Sequence, residues 1–300
     1  DYDQARLSYA NILYKRQLPF EPLKNIEILL ENDKDNPQYL TLKAVNLALA
    51  NQHHEALKIF EIIIKDKSIS NNQLYLSYGH TLRAVGRIDE AIESYGNAIN
   101  SKIGYGEAYW SLANLKTYQF TDTDISDIHI LLKNKEIKID DYYHLLFALG
   151  KAQEDRKNYK HAIAAYTKGN SVKSKQVPWD TKNFNKECND LISFFTKEFF
   201  EEFKNVGNKN SDPIFVVGLP RSGSTLVEQI LSSHSLVEGT TELQNIIALS
   251  RKIANKKNSK SKSEYPFALK NITRDELNKM GEAYIQNTLD QRVTDKPYFI

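Results

Sequence analysis

Residues 213 to 231 read PIFVVGLPRSGSTLVEQIL. Ile214 to Val217 is a short run of β-branched and aromatic residues, the pattern of a buried strand. GLPRSGS follows as a glycine-bounded turn. TLVEQILSSH then spaces Leu226, Val227, Ile230 and Leu231 at helical intervals. A strand, a tight loop and a helix N-terminus together make an anion site. Unpaired N–H groups converge there, and the helix dipole favours negative charge. Gly218 and Gly223 have the spacing G-x-x-x-x-G, and Thr225 stands at the hydroxyl position of a phosphate-binding loop. Ser224 occupies the place of that motif's lysine. Without the lysine that reaches the β- and γ-phosphates, nucleoside triphosphate hydrolysis is disfavoured. Arg221 offers another way to hold an anion, as a permanently charged planar fork inside the loop. The plainer alternative is a glycine-rich strand-to-helix turn that binds nothing.

Around this stretch the composition is that of a folded chain. The sequence has 300 residues, 41% hydrophobic and 26% charged, enough for two domains of ordinary size. A net charge of +2 gives no general electrostatic case for nucleic acid or an anionic membrane. Cys188 is the single cysteine, so no internal disulfide forms and a reducing, cytoplasmic setting is expected. No apolar run approaches the ~18 residues of a membrane span, and no secretory leader is legible. The histidines, His53 and His54 included, form no metal-ligand constellation, so no metal is expected.

The first half repeats itself. Small residues recur in apolar helical contexts at Ala10, Ala44, Gly79, Ala113 and Gly150, in steps of 34, 35, 34 and 37. A second small residue at Ala56, Ala91 and Ala162 is followed four positions later by Phe60, Tyr95 and Tyr166. Each unit reads as helix, short turn, helix. The period and the small-to-aromatic pattern resemble tetratricopeptide repeats. The first unit departs from it with Pro22 at the second small position. The fourth departs after GEAYWSLANLKTYQF into TDTDISDIHILL. Asp122, Asp124 and Asp127 do not make a calcium loop, because Lys133 falls where the bidentate glutamate is required. Helix N-caps at Thr121 to Thr123 account for them better. Tyr75, Tyr78, Tyr109 and Trp110 are expected to pack between helices. A solenoid of this kind is either a scaffold or a groove for a peptide or protein partner, and both readings stay open.

Residues 171–211 read as a linker and a connecting helix. Pro178 breaks the first part. ECNDLISFFTKEFFEEF then carries Leu191, Phe194, Phe195, Phe199 and Phe203 along one stripe, and KNVGNKNSD closes as a loop.

At PIFVVGLPRSGSTLVEQILSSHSLVEGTTEL the sequence resembles the 5′-phosphosulfate-binding loop of the sulfotransferases. The joining of repeats to this loop resembles bacterial tetratricopeptide-repeat sulfotransferases, which are distantly related to the tyrosylprotein enzymes. EAYWSLANLKTYQF, FALGKAQEDRKNY, AAYTKGN and VTDKP resemble stretches of the same family. The resemblance implies transfer of a sulfuryl group from 3′-phosphoadenosine 5′-phosphosulfate to a hydroxyl or amine acceptor, with no metal. It implies that Arg221, Ser222, Gly223, Ser224 and Thr225 hold the phosphosulfate. Glu242, in GTTEL, falls on the glutamate that serves as general base in the tyrosylprotein enzymes. Lys296, in VTDKPYF, falls on the lysine that follows the next buried strand and stabilises the leaving phosphate. His234 matches a histidine read here as structural.

Some positions differ from the family pattern. Ser235 replaces a proline, Ser224 replaces the commoner threonine, and Gln244 stands where the tyrosylprotein enzymes carry arginine. RKIANKKNSKSKS, from Arg251, reads as a solvated lysine-rich insertion more readily than as a surface for an acidic acceptor. Relatives continue into a 3′-phosphate site that has no counterpart before Ile300, so the chain is expected to be truncated at its C-terminus. The expected architecture is an all-α tetratricopeptide solenoid over 1–170, a linker over 171–211, and a partial three-layer α/β P-loop domain with a parallel sheet over 212–300. A peptide or protein acceptor is the expected partner, with no nucleic acid and no membrane. The rivals are a P-loop kinase or NTPase and a repeat scaffold with an inactive or incomplete P-loop domain.

Overall fold

The computed structural model describes residues 2–15, 20–65, 71–177, 179–240, 242–243, 245–254, 265–289 and 291–300. Pro178, Thr241, Gln244 and residues 255–264 of the basic segment lie outside them. The chain divides into two units, Asp1–Trp179 and Asp180–Ile300.

Among the described residues the first unit forms ten helices. They are α1 (Tyr2–Lys15), α2 (Phe20–Asn32), α3 (Pro37–Leu49), α4 (His53–Lys65), α5 (Asn72–Ala84), α6 (Ile88–Ser101), α7 (Gly106–Asn114), α8 (Asp122–Leu131), α9 (Ile139–Asp155) and α10 (Tyr159–Gln176). α1 pairs with α2, α3 with α4, α5 with α6 and α9 with α10. In each pair a small residue faces a bulky one sixteen positions later: Ala10 and Ile26, Ala44 and Phe60, Gly79 and Tyr95, Gly150 and Tyr166. Ile26, Phe60 and Tyr95 are fully buried. A Cβ on Gly79 would sit 2.6 Å from the Tyr95 ring, and one on Gly150 would collide with the Tyr166 ring. The close approach of the two helices therefore requires glycine wherever the partner is tyrosine. Burying one such ring contributes roughly 1.5–3 kcal/mol.

The turns repeat as well. Asn51, Gly86 and Lys157, each seven residues after the small position, have φ of 61°, 81° and 61°. This left-handed residue ends the first helix of these three hairpins, a geometry that suits glycine best. Helix starts follow side-chain chemistry: Asn36 accepts from the N–H groups of Gln38 and Tyr39, and Asn71 from that of Leu74. Pro22 is buried and tolerated because it lies in the first turn of α2, where its missing N–H has no intrahelical acceptor.

The fourth repeat is the irregular one. Thr121 and Asp124 form a reciprocal capping box at the start of α8, which explains the aspartate-rich stretch. His129, sixteen residues after Ala113, is exposed, and α7 packs mainly on α9. Gly106 N–H donates to Asp141 Oδ1 at 2.9 Å, and Lys102 Nζ to Oδ2 at 3.1 Å. A buried carboxylate thus replaces the missing small-to-aromatic contact. Tyr109 is buried, and Tyr75, Tyr78 and Trp110 pack against the same core.

The second unit begins with α11 (Thr181–Phe194) and α12 (Lys197–Glu202). The apolar stripe expected to run along one helix is interrupted: α11 ends at Phe194, and Thr196 caps α12 by accepting from Phe199 N–H. Phe194 is buried against Phe199 and Phe267, with ring centroids 4.9 and 5.7 Å away. Beyond the loop come α13 (Ser224–Ser232), β1 (Val237–Glu238), α14 (Asn245–Ile253), a 3₁₀ turn (Phe267–Asn271), α15 (Arg274–Leu289) and β2 (Tyr298–Phe299). The 203–212 loop is pinned to α15, since Gly207 N–H donates to Asn278 Oδ1 at 2.6 Å.

β1 and β2 are parallel, with Val237 opposite Tyr298 and Glu238 opposite Phe299. Pro213 bridges Phe299, also in parallel. The three segments lie in spatial order first, third, second, joined by helical crossovers, as parallel strands require. The strand expected over Ile214–Val217 forms only at its start. Ile214 N–H donates to Phe299 O at 2.7 Å, and Phe299 N–H to Asp212 O at 3.0 Å. Past that point Phe215 is 61% and Val217 89% exposed. An apolar run becomes a strand only where a ladder partner meets it, and among the described residues none is present beyond Ile214, although Phe215 packs on Tyr284 with ring centroids 5.9 Å apart.

Candidate active site

The loop from Gly218 to Gly223 turns through two left-handed residues. Arg221 has φ 67° and Gly223 φ 94°. Glycine adopts this conformation freely, whereas Arg221 holds it at a cost of about 1–2 kcal/mol. Ser222 N–H donates back to Leu219 O at 3.1 Å, and a Cβ on Gly218 would lie 2.7 Å from Ser222 Oγ. Gly223 is the N-cap of α13, whose first regular bond beyond the cap runs from Val227 N–H to Gly223 O. The N–H groups of the first turn, from Ser224 onward, have no intrahelical acceptors. Arg221, Ser222, Gly223 and Thr225 are exposed and Ser224 is half-buried, so the structure presents all five together at one surface loop. Beside it Ile214, Val217, Val227 and Leu231 line an open cavity of about 360 Å³ that Ser222 and Ser224 also border.

Glu242 is exposed on the chain leaving β1. Because the three segments are parallel, it lies at the edge where they end, the same edge as the 218–223 loop. Gly239 ties this exit to α13, where a Cβ would meet Ser232 Cβ at 2.8 Å. Thr240 Oγ1 donates to Ile300 O.

Lys296 is placed differently. The sequence reading set a buried strand before it. In the structure residues 291–297 form no strand, Val293 is 87% exposed, and β2 follows Lys296. Lys296 therefore stands at the edge where the parallel segments begin. Five residues of extended chain, on the order of 15 Å, separate that edge from the loop. Its Nζ donates to Val237 O at 3.0 Å.

The residue that holds this region was not singled out from the sequence. Glu238 is 3% exposed. Its Oε1 accepts from Val293 N–H at 2.6 Å and Thr294 N–H at 3.0 Å, and Oε2 pairs with Arg292 Nε at 3.4 Å. Burial alone would raise its pKa, yet these donors together hold the carboxyl below its ordinary range. Arg292 also donates to Lys296 O and stacks on Phe299, 4.9 Å from the ring centre. The available signal was a glutamate beside Val237 in the strand-like VEG, where a charge needs partners. His234 accepts from Leu236 N–H through Nδ1 at 3.2 Å, so it secures the turn after α13.

Residues 213–296 match the model of the sulfotransferase family. The chain joins tetratricopeptide-like hairpins to a sulfotransferase-like region. An uncharacterized protein of Aquifex aeolicus (strain VF5) is 32% identical over 216 residues, 71% of this chain and 28% of that protein. The chain thus spans little more than a quarter of this curated relative's length. Among solved structures, the chain is similar to MamA (residue 41 to the end) from Desulfovibrio magneticus RS-1. That match has 16% identity and a TM-score of 0.45, covering 59% of this chain and 97% of MamA. It is also similar to YrrB, described as a TPR protein with an unusual peptide-binding site. There the identity is 16% and the TM-score 0.42, covering 56% of this chain and 84% of YrrB. Among the described residues no helix is long and apolar enough to cross a membrane, and no group of three or more His, Cys, Asp or Glu is placed to hold a metal ion.

Proposed function

We propose that the second unit belongs to an enzyme that transfers a sulfuryl group from 3′-phosphoadenosine 5′-phosphosulfate to a hydroxyl or amine acceptor. The observation that carries this reading is the family match, which spans the loop where Arg221, the turn at Gly223 and the start of α13 come together. The donor set fits a phosphosulfate. It offers first-turn N–H groups, the hydroxyls of Ser222, Ser224 and Thr225, and one guanidinium, with no lysine for a triphosphate tail. The co-substrate, when bound, supplies the activated sulfuryl group.

The chain's own residues then have two tasks. The loop orients the donor and offsets the charge that grows on its phosphate oxygen as the sulfur–oxygen bond breaks. Glu242 takes the proton that the acceptor hydroxyl or amine loses as its bond to sulfur forms. In the present geometry Lys296 serves the sheet through Val237, and it would join the loop only after residues 291–297 rearranged. The first unit is the element we assign to holding a polypeptide acceptor, in a cytoplasmic protein.

The second reading is a repeat-based binding scaffold whose P-loop unit is inactive or incomplete. The exposed Phe215 and Val217 and the opposite-edge position of Lys296 favour it. Photo-crosslinking separates the two. An azido analogue of the co-substrate is expected to attach within residues 213–231 and to be displaced by 3′-phosphoadenosine 5′-phosphate but not by ATP with magnesium. Labelling confined to other residues, or displacement by ATP with magnesium alone, would reject the sulfuryl-transfer reading.

A further inference from the structure

β2 holds the central slot of the sheet by a short grip. Phe299 N–H donates to Asp212 O and Ile300 N–H to Glu238 O, each at 3.0 Å. Phe299 is 1% exposed, between Pro213 on one side and Glu238 on the other. Upstream, Val293 and Thr294 are consecutive β-branched residues, a pair that favours a strand, yet both are exposed. Their two N–H groups donate to the Glu238 carboxylate instead, at 2.6 and 3.0 Å. On the other side of the slot no ladder partner meets Phe215, Val216 or Val217 among the described residues.

A strand keeps its two faces when it slides by an even number of residues. Sliding the chain six places along the slot seats Val293 where Phe299 now lies and Thr294 where Ile300 lies. Val293 N–H then meets Asp212 O, and Thr294 N–H meets the backbone carbonyl of Glu238. Val293 passes from the surface to a buried place. Asp295 and Lys296 come level with Phe215 and Val216, which gives that run its missing partner. Six residues of extended chain carry Lys296 about 20 Å, to the edge where the segments end, beside the 218–223 loop. Pro297, with no N–H to donate, stops the ladder there. The same two N–H groups thus have two sets of acceptors, the Glu238 carboxylate in one register and the ladder carbonyls in the other. The burial of Phe299 and the stacking of Arg292 on its ring favour the first.

We infer that residues 292–300 fill the central slot in two registers, and that Glu238 is the positioning residue that holds the first and keeps Lys296 from the loop. The second register is the minor one. It supplies the lysine to the donor site, so Glu238 acts as a brake on sulfuryl transfer. This role rests on the reading of the second unit as a sulfotransferase; the two registers do not.

The test is disulfide trapping in the full chain with Cys188→Ser. Val216→Cys with Lys296→Cys makes neighbours only in the second register, and Ile214→Cys with Ile300→Cys only in the first. Under mild copper–phenanthroline oxidation both disulfides are expected, the 216–296 one forming more slowly. Adding Glu238→Gln makes the second register a larger minority. It should speed the 216–296 disulfide at least fivefold and leave the 214–300 disulfide no faster. A glutamate that merely stabilised the unit would, on removal, speed both. Val293→Asp places a charge that is exposed in the first register and buried in the second. It should slow the 216–296 disulfide at least fivefold and leave the other unchanged; if Glu238→Gln does not fold, this variant decides. No 216–296 disulfide, a 216–296 rate that neither substitution moves, or equal acceleration of both pairs would overturn the inference. The assay contains no nucleotide, so its failure is distinguishable from failure of the photo-crosslinking that tests sulfuryl transfer.

Discussion

Gly79 and Gly96 occupy the same hairpin, one on α5 and one on α6, and replacing each by alanine is expected to change stability in opposite directions. Both are interior helical glycines, so alanine contributes up to about 1 kcal/mol through propensity at either site. At Gly96 nothing lies within 4 Å of the added Cβ, so the full gain of about 0.5–1 kcal/mol remains. At Gly79 the Cβ would stand 2.6 Å from the Tyr95 ring, well inside ordinary contact. That ring is fully buried and its hydroxyl is bonded to His80, so it cannot swing aside. Overpacking costs about 1–3 kcal/mol, and loss of the His80 bond about 1 kcal/mol more. The net expectation for Gly79→Ala is a loss of about 1–3 kcal/mol. With a urea m-value of about 2 kcal/mol/M, the midpoint falls by about 0.5–1.5 M, while that of Gly96→Ala rises by about 0.3–0.5 M. Urea denaturation of the full chain, followed by far-UV circular dichroism, reads both. If Gly79→Ala stabilised as much as Gly96→Ala, the glycine-to-tyrosine contact would not be what sets the hairpin spacing.

Three further outcomes follow from the charged and titratable groups. His80 is held neutral, with its pKa lowered to about 4; the unfolded chain therefore binds more protons between about 6.5 and 4. The first unit's stability is complete above 6.5 and falls with pH through that window by at most about 3 kcal/mol, and His80→Gln should flatten the decline in acid melts. Glu238, lowered by its donors, contributes stability above the ordinary carboxylate range that is lost as pH falls through its own pKa. Glu238→Gln should therefore speed hydrogen exchange at Val293 and Thr294 at neutral pH and leave their exchange less pH-dependent; unchanged exchange would contradict the pinning. Lys296→Met should lower the melting temperature of the second unit slightly and leave affinity for 3′-phosphoadenosine 5′-phosphate within twofold. A tenfold loss of affinity would place Lys296 in the cradle, against the present geometry.

The repeat array was legible because its signal is steric and periodic. Ala44 and Phe60, or Gly79 and Tyr95, repeat a contact that two-helix packing imposes, and the loop motif sits where glycine is needed at Gly223. The capping role of Thr121 was equally readable, being a local hydrogen-bond pattern. Other features depended on partners distant in sequence. The break between α11 and α12 follows from the Thr196 cap and from Phe267, far along the chain. The strand after Pro213 depended on a ladder partner that reaches only Ile214. Glu238 depended on backbone N–H groups at Val293 and Thr294, more than fifty residues away, which no local pattern announces. Lys296 illustrates the same limit: a short motif names the residue, but strand register decides at which edge of the sheet it stands.

The most direct test of the phosphosulfate cradle is calorimetric titration of the full chain and of Arg221→Ala with 3′-phosphoadenosine 5′-phosphate, and separately with ATP and magnesium. The account predicts that the wild-type chain binds the first ligand in preference to the second, and that Arg221→Ala binds the first at least tenfold more weakly. Preference for ATP with magnesium, or binding of the first ligand that Arg221→Ala leaves unchanged, would contradict it.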